Sequence, residues 1–69
     1  ELQALYRRAL AVLQTEFELT TWQAFWRTAV DGQRPAEVAT ELGMTAGGVR
    51  KSKSRVLRRL REEVGDLLD

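Results

Sequence analysis

At 69 residues the chain has material for one domain and no more. Its 43 % hydrophobic content, with two Trp and two Phe, is globular rather than disordered. The net charge is only +1, and the absence of Cys and His excludes a thiol nucleophile, a redox pair, an imidazole acid–base group and an ordinary zinc site.

No disulfide can reinforce so small a core, so the fold has to rest on helix packing or on a partner. No run of about 18 apolar residues offers a membrane span, and no signal peptide is visible. The expectation is therefore a protein with no metal, cofactor, membrane or small-molecule substrate. A cysteine-free chain fits a reducing compartment, here the cytoplasm. Because it starts at Glu1 rather than Met, residues 1–69 read as a single domain from the C-terminal part of a longer protein.

Leu2, Leu5, Tyr6, Ala9, Leu13 and Phe17 recur at three-and-four spacing, which predicts an amphipathic helix over 2–17. A second helix is expected to start at Thr20 or Thr21, with Thr20 and Gln23 in capping-box register. Its apolar face is Trp22, Phe25, Trp26, Ala29 and Val30, and Asp31-Gly32 is a natural end because Gly accepts a left-handed C-cap. Both Trp residues read as core rather than as DNA-stacking groups. Pro35 suits the first turn of a short third helix over 35–42, with Val38, Ala39 and Leu42 inward and Gly43 ending it. Thr45 can cap a fourth helix over 46–63, with Val49, Ser52, Val56, Leu57, Leu60 and Val64 on one side and Gly65 as its expected end.

The segment Pro35–Ser54 has the requirements of a helix-turn-helix. Ala39 is small where the helices would cross, and Gly43 sits in a turn that calls for positive φ. Val38, Leu42, Met44 and Val49 are apolar where each helix meets the core. The competing reading is a plain helical hairpin with a glycine turn.

Charge distribution separates the two. Residues 1–45 carry four basic and six acidic side chains, residues 46–61 carry seven basic ones and no acid, and residues 62–69 add four acids. The cations Arg50, Lys51, Lys53, Arg55, Arg58, Arg59 and Arg61 would repel one another on a solvated helix, with no acid among residues 46–61 to relieve them. A polyanionic partner accounts for them better.

With Val49 at zero and ~100° per residue, Gly47, Lys51, Ser54 and Arg58 fall at about 140–200°, opposite the apolar stripe. Arg50, Arg55 and Arg61 flank that face. Lys53 lies near 40°, where its stem can pack while its ammonium reaches out (approximate wheel positions). The N-terminal part of such a helix goes deepest into a major groove. Arg50, Lys51 and Ser54 are therefore the base-reading candidates, and Arg55, Arg58 and Arg59 the phosphate ligands. Gly47 and Gly48 admit two readings: they let a DNA backbone approach the helix N-terminus, or the helix starts one turn later.

The run EFELTTWQAFWRTAVDGQRPAEVATELGMTAGGVRKSKSRVLRRLREEV resembles region four of the extracytoplasmic-function sigma factors. It is similar to the variant in which a TWQAFW segment precedes the helix-turn-helix and KSRVLRRLREE closes it. The resemblance covers Glu16–Val64. It implies an all-α, four-helix domain: a lead-in helix, then a winged-helix-like or sigma-region-four-like three-helical core ending in the helix-turn-helix. The implied function is recognition of the −35 promoter element in double-stranded DNA, with Thr45, Gly47, Arg50, Lys51, Ser54 and Arg55 in contact. The resemblance also implies docking of the outer surface of the first three helices on the β subunit of RNA polymerase, and an anti-sigma protein as a further partner. The Gly47-Gly48 pair and Lys53 depart from the helix formers and apolar residues usual in the family.

Two other functions compete: the helix-turn-helix output domain of a transcriptional regulator, which would favour a two-fold symmetric site, and a module for an acidic protein partner. An enzyme is the least supported reading, since the acids lie scattered or in the C-terminal cluster.

Overall fold

A computed structural model describes the backbone of residues 2–68 and the side chains of 3–66. It is all-helical, with four helices in chain order. These are α1 (Leu2–Gln14), α2 (Leu19–Phe25, running on through a π-helical turn at Trp26–Val30), α3 (Pro35–Leu42) and α4 (Ala46–Leu68). Among the described residues there is no strand, and so no β wing. No described helix is long and apolar enough to cross a membrane.

The helix ends follow local chemistry. α1 stops three residues before its expected end because Thr15 turns back on Val12: its N–H donates to the Val12 carbonyl at 3.2 Å and its hydroxyl at 2.7 Å. Phe17, in the turn beyond, still packs on the core. α2 begins earlier than expected. Glu18 is extended (φ −62°, ψ 152°) and Leu19 opens the helix, so Thr20 lies inside the first turn and the Thr20–Gln23 capping box does not form.

α3 starts at Pro35 after an extended Arg34 (φ −74°, ψ 139°). The Glu37 carboxylate accepts a hydrogen bond from the Arg34 backbone N–H at 3.4 Å, half of a capping box, since an arginine side chain has no acceptor to complete it. Gly43 ends the helix in the left-handed conformation (φ 67°, ψ 34°), and the Met44 N–H closes onto the Ala39 carbonyl at 2.8 Å. α4 does not stop at Gly65. Its backbone stays helical to Leu68, about 34 Å at ~1.5 Å per residue, against a longest molecular dimension of 39 Å. Residues 66–68, beyond that expected end, form the last turn of α4; Asp69 lies outside the described residues, as does the side chain of Leu2.

Two apolar clusters hold the helices together. Leu13, Trp22, Phe25 and Val56 form the first, with Leu10, Phe17, Leu57 and Leu60 around them. Ala24, Val38, Ala39 and Val49 form the second, with Leu42 and Met44 at its edge. α2 lies between the two, and α4 contributes to both. Trp22 and Phe25 stack obliquely, ring centroids 5.1 Å apart.

The inward face of α2 differs from the expectation. Trp26 is 38 % exposed and Val30 50 % exposed, while Thr28 is buried in their place. The π-helical turn is the cause: the Asp31 N–H donates to the Trp26 carbonyl, five residues back, at 3.1 Å. That wider turn shifts the phase of everything after Phe25. Thr28 is satisfied inside by donating its hydroxyl to the Ala24 carbonyl at 2.7 Å. Trp22 is core as expected; Trp26 is not.

Candidate nucleic-acid interface

The candidate surface is the solvent side of α4. Its start is fixed by Thr45, whose hydroxyl oxygen accepts the Gly48 N–H at 2.9 Å. The Thr45 O–H keeps its proton free to donate outward. Gly47 and Gly48 are both helical, so α4 begins at Ala46 and not a turn later. The two glycines differ in kind. A Cβ on Gly48 would stand 3.0 Å from the capping hydroxyl of Thr45, a tight contact. A Cβ on Gly47 would meet nothing within 4 Å. Gly47 is exposed on the same side as Lys51, Ser54 and Arg58, and it leaves the unpaired amides of the helix start open to an anion.

Beyond this start the helix is unbroken, and Arg50, Lys51, Ser54, Arg55, Arg58 and Arg61 are all exposed. Arg61, which sequence reasoning placed only at the flank, extends the exposed row. Lys53 is half-buried, in keeping with its place inside the apolar stripe. The opposite side of the helix is closed: Val49, Ser52, Val56 and Val64 are buried. Among the described residues the ion pairs are Arg27–Glu41, Arg59–Glu16 and Arg59–Glu63. None of Arg50, Lys51, Lys53, Arg55, Arg58 and Arg61 has a carboxylate partner there. The basic row thus presents its full charge outward along about 16 Å of helix, from Arg50 to Arg61.

Arg59 stands apart from the phosphate-ligand role expected of it. Its Nε donates to Glu16 Oε1 at 2.9 Å and its Nη2 to Glu16 Oε2 at 3.0 Å, a two-pronged pairing across 43 residues of sequence. Nη2 also donates to Glu63 Oε1 at 2.9 Å, one turn along α4. These bonds, to Glu16 first and Glu63 second, hold the guanidinium even more firmly protonated than usual. The structure spends Arg59 on joining α4 to the turn after α1, and the exposed face comprises Thr45, Gly47, Arg50, Lys51, Ser54, Arg55 and Arg58, with Arg61 at its far end.

Sequence reasoning missed a second exposed feature. Leu19 (69 % exposed), Trp26 and Val30 bring apolar area to the outside of α2. A groove of about 410 Å³ beside them is lined by Gln14, Leu19, Trp22, Gln23, Trp26, Arg27 and Asp31. Trp26 lies against Trp22, ring centroids 6.1 Å apart. The only hint in sequence was that Trp26 is followed by charged residues on both turns, Arg27 and Asp31. Among the described residues no cluster of three or more His, Cys, Asp or Glu side chains could hold a metal ion. Comparison of the chain with protein-family models, with curated proteins and with solved structures finds no match.

Proposed function

We propose that the chain is a DNA-binding domain in which α3, the Gly43 turn and α4 act as a helix-turn-helix. The observation that carries this is the row of exposed cations on one continuous helix, without carboxylate partners among the described residues. A protein surface with no polyanion to meet gains nothing from such a row. In this reading α4 enters the major groove with its N-terminal half foremost. Arg50, Lys51 and Ser54 meet base edges. Arg55 and Arg58 hold phosphates, and the helix start at Thr45 and Gly47 receives another. The chain is a binding module rather than an enzyme.

The finer assignment, also proposed, is region four of an extracytoplasmic-function sigma factor. It rests on the resemblance over Glu16–Val64 and on the apolar surface of Leu19, Trp26 and Val30, which suits docking on the RNA polymerase β subunit or on an anti-sigma protein. That assignment places the protein in the cytoplasm, at a −35 promoter element.

The test is a titration of the chain with short duplex DNA over a series of salt concentrations. Neutralising about five phosphates gives a slope of log K against log salt near −4 to −5. A slope near zero removes the phosphate contacts and the function with them. A single asymmetric footprint is expected of the sigma reading, a two-fold symmetric one of a regulator's output domain.

A further inference from the structure

Arg59 belongs to the basic run by sequence, yet it is the one cation of that run with carboxylate partners among the described residues. It follows Arg55 by one helical turn, about 6 Å along the axis and ~40° round it. Its side chain is still 30 % exposed, so it is not walled off from solvent. The geometry of its partners is informative. Glu16 offers two oxygens to two guanidinium nitrogens, at 2.9 and 3.0 Å. This is the fork-to-fork arrangement that an arginine also makes with a phosphate. Glu16 reaches Arg59 from the turn after α1, on the side of α4 that the rest of the protein occupies. A DNA strand following the cations round from Arg58 through Arg55 to Arg59 would run into that turn.

We propose that Glu16, assisted by Glu63, occupies Arg59 in place of a DNA phosphate, so that the protein's own carboxylates set the edge of the DNA-binding face between Arg55 and Arg59. This rests on the DNA-binding reading and adds to it a boundary: one more cation is available, and it is withheld. The withheld arginine keeps the duplex centred on the Gly47–Lys51–Ser54–Arg58 side, where base edges are read. Releasing it trades base-reading register for one more contact that every sequence offers equally.

The experiment compares the salt dependence of duplex-DNA binding for the wild-type chain and four variants, with circular dichroism to establish that each is folded. E16Q and E16Q/E63Q keep the side-chain shapes and remove the competing charges. The double variant is expected to steepen the log–log salt slope by about 0.9, the worth of one added phosphate, and to gain proportionally more on non-specific than on preferred DNA. E16Q/E63Q/R59Q returns the slope to the wild-type value. E62Q/D66N removes two charges from the same end of α4 without touching Arg59, and leaves the slope unchanged. A wild-type protein that binds with a normal slope while E16Q/E63Q matches it overturns the boundary and leaves the DNA-binding reading standing. A steepening equal in E16Q/E63Q and E62Q/D66N overturns it as well, since net charge alone then explains the gain. A wild-type slope near zero overturns both.

Discussion

The two halves of α4 are alike on the inside and opposite on the outside. Val49, Val56 and Val64 recur at seven- and eight-residue intervals and are buried throughout, so packing asks the same of both halves. On the solvent side, Ala46–Arg58 shows cations without acids, whereas the segment from Arg59 onward brings an arginine clamped by Glu16 and Glu63, then Glu62 and Asp66. Core packing is indifferent to this change of sign, and the helix dipole opposes it, with cations toward the N-terminus and acids toward the C-terminus. The first half thus presents exposed cations without carboxylate partners among the described residues, while the second sets Arg61 among acids and binds Arg59 to the protein's own carboxylates.

Reversing the charges of the first half is the most severe way to test that comparison. Lys51→Glu/Arg55→Glu/Arg58→Glu should weaken duplex binding by at least about 100-fold, since one base-reading and two phosphate-holding cations become repulsive. Circular dichroism should stay unchanged, because none of the three touches the core. If Glu62→Lys/Asp66→Lys in the second half altered binding as much, the two halves would not differ in role. On the shared inner face, Val49→Ala and Val56→Ala should each cost about 2 kcal/mol in urea unfolding, from lost burial and the space left behind. A large difference between them would mean that one of the two clusters contributes little.

Within the first half, Arg50→Ala should cost about 1–3 kcal/mol on the preferred DNA and much less on unrelated DNA; an equal loss on both would make Arg50 a phosphate ligand. The smallest effects distinguish the two glycines. Gly47→Ala should raise stability by up to about 1 kcal/mol, because the site is helical and open, and at the same time weaken DNA binding by obstructing the helix start. Gly48→Ala should gain less, since its Cβ stands 3.0 Å from the Thr45 capping hydroxyl, which has to give by a few tenths of an ångström. Thermal unfolding alongside the binding titration separates these outcomes.

The four helices were legible in the sequence where a local signal is decisive. Pro35 at a helix start, Gly43 at a helix end and Thr45 as a cap each act within a few residues, and the structure has all three in place. The outward face of α4 was legible for the same reason: an uninterrupted helix keeps its period, so wheel positions and exposure agree from Gly47 to Arg61. What escaped depends on distant or irregular features. The π-helical turn breaks the period after Phe25, and so Trp26 and Val30 were assigned to a core they do not enter. Arg59 was read as one more cation because its main partner, Glu16, lies 43 residues away. Gly65 was read as a stop, but a glycine C-cap works by turning the chain left-handed, and here it does not; among the described residues positive φ is confined to Gly32 and Gly43.

The openness around Gly47, Arg50, Lys51, Ser54 and Arg58 has an evolutionary corollary. Their side of α4 supports nothing in the protein's interior, so a change of residue there leaves the scaffold indifferent. On the proposed DNA-binding reading, such a domain can be readdressed to a new DNA sequence by a handful of replacements on that side, each judged by the target it selects and not by whether the chain still folds.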